Sequence, residues 1–585
     1  MRPDLPLDQE MPVIQDLPAS PAPTERVAAS SGTPMPPTRR WRWAVALLVV
    51  ALATTATIGA GILLTGARSI SAVARWAPAD ALVYAEVRAD LPGDQRDQLA
   101  AFLSAFPGFA DRSILERKLT EVYDRLLSDA TKGKQTYSKD IAPWFGGQLG
   151  ASILAPRDLA ASPTPGSPSS QRMLLVASST DPAKALGWFR SSVVAEGASV
   201  MPSDAGGTQL LVASVKGQAV AAAAPTGVLL VGDEASVRGA LDRPGDGGLA
   251  KDADFLAAIA SVPADGIASV YVHTRAYADL LSKLAPQSPS PSATDLASML
   301  PAWSVADLRA ASDALSVEAV SPSTSATRSA PDGANELPAR LPASTIALLD
   351  AHAAGSTLID ALSKTPGAQQ AGIEQALDRV GGLKGLLGWA GETGVVVLST
   401  AKGPLPGLVS IATDPKAAAG LAASLSNLAT VAGLKPTDTT YAGHTITTVE
   451  LPVGAAGGAA VTPQPSAPSV TATAVSWTVA DDLFVAGTDG AFVQAVLDVK
   501  AGASLAQAPR FTSMAGRVPS SGHAFGWLDV AAIRDAVVAR MPAAEKARYQ
   551  SDVAPYLAPL AGAVGVAWHD GSLERARALL ILERP

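Results

Sequence analysis

Two kinds of apolar spacing alternate along this chain, and the whole succession runs twice. Residues 81–87 (ALVYAEV), after Pro78-Ala79-Asp80, form a short apolar run that predicts a strand. Leu99, Phe102, Leu103 and Phe106 then recur at i, i+3, i+4 and i+7. Ile114, Leu115, Leu119, Val122 and Leu126 resume the helical period beyond Pro107-Gly108. Strand-like runs follow at 151–154, 173–177, 227–232 and 314–320. The second pass opens at Pro342-Ala343-Ser344 with 345–350 and continues through 395–398, 408–411, 483–487 and 563–568. This gives about seven short strands and four or five helices per copy. Strands outnumber crossover helices and often follow one another directly. The pattern therefore predicts an α+β fold of two tandem duplicated domains, each a largely antiparallel sheet with helices packed on one face.

The punctuation of the two passes coincides. Val262-Pro263-Ala264-Asp265-Gly266 returns as Val518-Pro519-Ser520-Ser521-Gly522, and the same register pairs Phe255 with Phe511, Asp233 with Asp489 and Asp242 with Asp498. Trp144 precedes a glycine turn and a strand, as does Trp389, and an indole so placed is a packing anchor. Asp181-Pro182 and Asp414-Pro415 each follow an apolar strand. Asp at the N-cap accepts an orphan amide hydrogen bond and Pro at the next position pre-sets φ, so both predict helix starts. The retained positions are turns, caps and apolar residues, whereas the polar groups differ between copies. The repeat therefore speaks to architecture rather than to activity.

Ahead of both copies lies the uncharged run 43–67, longer than the roughly 20 residues a helix needs to cross a hydrocarbon core. Arg39, Arg40 and Arg42 crowd its N-terminal side, beside Trp41 and Trp43 as interfacial anchors. The run is too long, and too far from residue 1, for a cleaved signal peptide. It predicts a transmembrane signal anchor over 39–67 that meets the lipid bilayer through 43–67. Residues 1–38, rich in Pro, Ser and Thr without apolar periodicity, predict a disordered cytoplasmic tail. The rest divides into an extracytoplasmic α+β repeat over 70–320, a Pro/Ser-rich linker over 321–340 and a second extracytoplasmic α+β repeat over 341–585. Pro/Ser/Ala-rich stretches at 156–171, 285–294 and 452–470 predict surface loops.

Composition narrows the chemistry. The formal net charge of −8 offers no electrostatic footprint for nucleic acid. With no cysteine, disulfides, thiol catalysis and cysteine-based zinc sites are excluded. His273, His352, His444, His523 and His569 show no metal-ligand spacing, so a metal site would need ligands gathered by the fold alone. His273 ends a strand and corresponds to Asp529 in the second copy. The strand–Gly–helix passages at 227–242 and 483–498 lack the glycine and lysine pattern of a phosphate loop, and no nucleophile elbow or serine–lysine motif occurs. Asp481-Asp482 and Asp252/Asp254 read as turn and cap residues. Glu86 and Asp350 occupy equivalent strand positions, and an outward-facing side chain is the simplest expectation for each. No catalytic, cofactor-binding or metal residue is assigned, and no cofactor is expected.

A Pro-rich tail, one apolar span, PADALVYAEV at 78–87, Phe106-Pro107, KDIAPWFGGQLG at 139–150 and the Thr180-Asp181-Pro182 helix start together resemble a bacterial membrane-protein family, domain-of-unknown-function family number 3352. The resemblance implies a membrane-tethered extracytoplasmic protein and supplies no activity, cofactor or catalytic residue. The expectation is a single-pass, cell-membrane envelope protein, N-terminus cytoplasmic, that is not an enzyme. It would act as an interaction or structural module with an envelope protein as partner. The alternative is a carrier or sensor of a lipid or other apolar ligand.

Overall fold

The computed structural model describes residues 70–155, 172–215, 218–243, 247–284, 300–324, 327–363, 382–451, 474–499 and 502–583. The tail, the 43–67 run and the proline-rich stretches 156–171, 285–294 and 452–470 lie outside them. Among the described residues no helix is long and apolar enough to cross a membrane.

The apolar runs become strands. The first half holds β1 (Ala81–Arg88), β2 (Phe145–Leu154), β3 (Arg172–Ser179), β4 (Val200–Ala205), β5 (Thr208–Val215), β6 (Gln218–Ala223), β7 (Val228–Gly232), β8 (Ala268–Val272), β9 (Ser304–Ala311) and β10 (Ala314–Pro322). The second holds β11 (Gly333–Ala334), β12 (Thr345–Ala351), β13 (Ala390–Thr400), β14 (Gly403–Ala412), β15 (Thr437–Tyr441), β16 (His444–Glu450), β17 (Ala474–Ala480), β18 (Leu483–Gly487), β19 (Ser521–Gly522), β20 (Ala524–Leu528), β21 (Leu560–Asp570) and β22 (Leu573–Leu582).

Every pairing in the large sheet is antiparallel. Neighbours run β4-β5-β6-β7-β3-β2-β1-β8-β9-β10 through the first half. They continue β22-β21-β20-β12-β13-β14-β18-β17-β16-β15 through the second. The connectivity of one half is thus the other's read in reverse, and β10 and β22 join them into one sheet of 20 strands. At the join Glu318 lies opposite Arg577. Glu318 is buried and accepts a 3.2 Å hydrogen bond from Arg575 Nη1. Burial pulls the Arg577 guanidinium below its ordinary pKa, and the Glu318 charge opposes that shift.

Ten strands of the large sheet in each half exceed the seven expected. The β4–β5–β6 meander, with polar and small residues among its apolar ones, carries too weak a signal to be counted from pattern. Helices cover both faces rather than one. Along β7, Val228 and Leu230 pack with Val237 and Ala240 of helix Glu234–Leu241, while Leu229 packs with Phe189 of helix Pro182–Ala195. Along β18, Val485 packs with Phe492, Val493 and Val496 of helix Gly490–Leu497, and Phe484 with Ala418 of helix Pro415–Val431. Successive strand side chains point to opposite faces, so an unbroken apolar strand such as Val228-Leu229-Leu230 demands cover on both sides.

The expected caps form. The Asp181 side chain accepts from Lys184 N at 3.0 Å, and Asp414 accepts from Lys416 N and Ala417 N at 3.0 and 3.1 Å. Trp144 and Trp389 are buried, and their indole N–H groups bond Asp140 O at 2.9 Å and Leu386 O at 2.7 Å. Phe255 stands edge-on to Tyr271 at 5.2 Å, as Phe511 does to Trp527 at 5.4 Å.

Of the 321–340 segment, Ser321 and Pro322 end β10. Leu337–Arg340 forms one helical turn whose Leu337 is buried in the core of the second half. Between them, β11 pairs with β19 through Gly333–Gly522 and Ala334–Ser521.

Candidate functional site

That two-residue ladder positions a cluster of ionisable side chains. β11 passes beside His352, where a Cβ on Gly333 would sit 2.6 Å from His352 Nδ1, so any larger residue would have to displace that ring. Its neighbour Asp332 is delivered between two imidazoles from distant parts of the chain. His523 precedes β20 and His569 lies near the end of β21, with ring centroids 4.7 Å apart. Asp332 Oδ1 lies 3.2 Å from His523 Nδ1 and 3.1 Å from His569 Nδ1, and Asp332 Oδ2 accepts the His569 backbone N–H at 2.9 Å.

The far side of each ring is also occupied. His523 Nε2 meets Glu574 Oε1 at 2.8 Å, and His569 Nε2 meets the Thr327 carbonyl at 3.1 Å. Burial disfavours a charged His523, but hydrogen bonds and charge from Glu574, then from Asp332, outweigh it and raise its pKa above the ordinary imidazole value. Burial likewise opposes ionisation of Glu574 and Asp332. The histidines outweigh it in both cases and hold the carboxyls below their usual range, helped at Asp332 by the His569 backbone N–H.

A second group of acids lies beside this cluster. Asp350 is 2 % exposed on β12, and among the described residues neither of its carboxyl oxygens has a side-chain hydrogen-bond partner. Burial, reinforced by the charge of Glu392, pushes its pKa up to about 8. Glu392 accepts from the N–H groups of Glu336 and Leu337 at 2.8 and 3.0 Å and stands 4.0 Å from His352 Nε2. Its pKa is raised too, burial being the main cause. The outward-facing position expected for Asp350 and Glu86 is wrong for both. Glu86 is buried and accepts from Ser71 Oγ at 2.7 Å and Tyr84 Oη at 2.9 Å. Residues at these strand ends face a packed layer built by segments 70–77 and 332–341, which no local periodicity reveals.

His273 stands 4.0 Å from Asp254, and His444 starts β16 away from the cluster. Asp529, at the position equivalent to His273, caps helix Val530–Arg540 and binds Arg510 at 3.0 Å. Asp252 is the cap of helix Ala253–Ala260, as its turn-like setting implied. The fold thus gathers three of the chain's five histidines, His352, His523 and His569, at one end of the sheet. One ligand atom from each of Asp332, His523 and His569 lies within 4.8 Å of the other two. These three can hold protons or a cation. Sequence spacing could not find them, but a comparison of the two halves does. Hydrogen bonds equivalent in the two halves place Arg88, Ile267 and Ala310 where His352, His523 and His569 stand.

No curated protein matches the chain. Solved structures with some likeness include two crystal forms of TP0453. Form III is 11% identical with a TM-score of 0.22, covering 44% of this chain and 81% of that one. Form I is 6% identical with a TM-score of 0.21, covering 43% and 79%. Likeness at that level carries no argument about fold or function. The family model described as protein of unknown function DUF3352 matches residues 43–580, and the chain belongs to that family.

Proposed function

We propose that the protein is a membrane-tethered module of the bacterial envelope that acts by binding or bracing rather than by catalysis. Residues 43–67 anchor it, the tail faces the cytoplasm, and two tandem duplicated α+β units stand outside. The observation that carries this reading is what the two halves share. Equivalent positions keep the residues that cap, turn and pack, such as Asp233/Asp489, Trp144/Trp389 and Phe255/Phe511, while the polar end groups diverge. The acids kept at equivalent positions, Glu86 and Asp350, are buried in both halves. An extended sheet fused across β10 and β22 suits a brace between partners.

The test is protease treatment of intact spheroplasts making the full-length chain with an epitope at each end. The expected result is loss of the C-terminal epitope while the N-terminal one survives until lysis. Survival of both until lysis would overturn the orientation.

A second reading, an envelope carrier or sensor of a lipid or other apolar ligand, is favoured by one surface feature. Leu349, Val395 and Leu408 lie side by side across β12, β13 and β14, and Leu349 and Val395 are 62% and 54% exposed. At the position equivalent to Leu349 the first half has a buried Ala85. Mass spectrometry of an organic extract of the purified protein separates the two readings, since a stoichiometric lipid would move the carrier to first place.

A further inference from the structure

We propose that Asp332, His523 and His569 form a binding site for one divalent first-row transition ion, zinc being the type, which fastens the segment between the halves to the second half-sheet.

The first argument counts protons. Four imidazole nitrogens each face an oxygen that only accepts: Asp332 Oδ1 twice, Glu574 Oε1 and the Thr327 carbonyl, at 2.8 to 3.2 Å. Two neutral imidazoles carry two N–H groups between them, so two of these contacts would set lone pair against lone pair. Either both rings are protonated or a cation fills the gap. The two carboxylates bring two negative charges, which one divalent ion balances with both rings neutral.

The second argument is where the gap lies. The Nε2–H of His523 is held by Glu574 and that of His569 by the Thr327 carbonyl, which leaves both Nδ1 lone pairs directed at Asp332. A carboxylate or carbonyl on the outer nitrogen of each ligating histidine is the usual outer shell of a metal site, fixing tautomer and ring orientation. Bonds of about 2.0–2.1 Å in a tetrahedron place donor atoms roughly 3.3 Å apart. The separations of 3.2 and 3.1 Å from Asp332 Oδ1 to the two Nδ1 atoms already match that edge. Two imidazoles and a carboxylate suit zinc and its neighbours better than magnesium or calcium, which prefer all-oxygen shells. Three protein donors leave a fourth position for water, on the side where Asp332 reaches solvent.

The third argument is specificity to this half. The equivalents of His523 and His569 in the first half are Ile267 and Ala310, so that end of the sheet has no such set.

The experiment uses the full-length chain in detergent, stripped with chelator and titrated with Co²⁺ by visible absorption and with Zn²⁺ by calorimetry. The expected result is one ion per chain with the bands of a tetrahedral cobalt site. His523→Ala with His569→Ala abolishes it, and Glu574→Gln, which meets only the outer nitrogens of the two rings, at 2.8 Å from His523 and 3.8 Å from His569, weakens it by about tenfold to a hundredfold. His444→Ala leaves it unchanged. If thermal melting shows that the double variant does not fold, Asp332→Asn removes the carboxylate donor at constant shape and must weaken binding likewise. Absence of stoichiometric Co²⁺ and Zn²⁺ binding in the unaltered chain, or binding that survives loss of the histidines or of the Asp332 carboxylate, overturns the proposal.

Discussion

One backbone N–H, near the end of β9 in the first half and of β21 in the second, separates the two halves of this molecule more clearly than any core residue. In the first half it belongs to Ala310 and is taken by the Gln95 side-chain oxygen at 2.7 Å. In the second it belongs to His569 and is taken by Asp332 at 2.9 Å. The acceptor comes from a helix in one case and from the segment between the halves in the other. Gln95 is 1 % exposed and neutral, whereas the Asp332 side chain is 29 % exposed and charged. The same hole in the same sheet is filled once by a plug and once by an ionisable cluster. Architecture constrains that a donor be satisfied there and leaves open with what, which is how two halves of matching strand order come to carry different chemistry at their ends.

The largest test of that comparison is the seam, where the halves stop being separate. Glu318→Ala removes a buried carboxylate from between Arg575 and Arg577 and leaves Arg575 to its other partner, Asp570, at 2.7 Å. The expected cost is about 3 kcal/mol, the low end for breaking a buried ion pair, read from the denaturant midpoint. Because β10 and β22 belong to different halves, amide exchange should speed up in both. Acceleration confined to one half would mean that the shared sheet does not couple them.

Next in size is the contrast between the equivalent acids Glu86 and Asp350. Glu86 has two hydroxyl donors and, among the described residues, Asp350 has none. Asp350's folded-state pKa, pushed up to about 8, lies above its unfolded value, so the folded state holds the proton more tightly. Its contribution is complete below about pH 4 and is lost as pH rises through the folded value, with a slope of at most about 1.4 kcal/mol per pH unit between them. Asp350→Asn should flatten the fall in stability between about pH 4 and 8, leaving whatever slope the raised pKa of Glu392 imposes. Melting curves across that range decide it, and an unchanged slope would mean that Asp350 is ionised in the fold.

The frame was legible in sequence wherever a local rule decides the outcome. Asp-Pro starts helices because of what a carboxylate and a fixed φ do within one turn, and Trp144 and Trp389 mark strand entries because an indole needs a deep pocket and a nearby carbonyl. The fusion of the halves was not legible, since the pairing of Ala314–Pro322 with Leu573–Leu582 depends on two edges meeting rather than on any pattern within either. The burial of Glu86 and Asp350 was misread for a related reason: alternation predicts faces, and only tertiary structure says which are covered. The histidine cluster joins residues 332, 523 and 569, far outside any motif window. It shows only where the two halves, matched by strand order, differ: Ile267 against His523 and Ala310 against His569.

A smaller effect sharpens the opening contrast. Gln95→Ala strands the Ala310 N–H in a site that water does not reach, and the cost should be about 1–3 kcal/mol. Asp332→Ala strands the equivalent N–H of His569 where solvent can replace the lost acceptor, so its effect on unfolding should be the lesser of the two. Equal costs would mean that water does not repair the second site, and that the two ends are alike in solvation despite their different side chains.

The smallest expected effect concerns positions where the halves ought not to differ. Asp233 caps helix Glu234–Leu241 through Ser236 N at 3.0 Å, and Asp489 caps helix Gly490–Leu497 through Ala491 N at 2.9 Å. Each to Ala removes one charged acceptor from an orphan amide, with an expected loss of about 1 kcal/mol. Asp233 also accepts from the Ser236 hydroxyl at 2.6 Å, where the second half has the fully buried Phe492 instead, so the first-half cost should run slightly above the second. Adding Ser236→Ala should bring the two caps level. If Asp489→Ala proved much the costlier, the cap there would be holding Phe492 in its core as well as ending the helix, and the two halves would differ in their frame as well as in their chemistry.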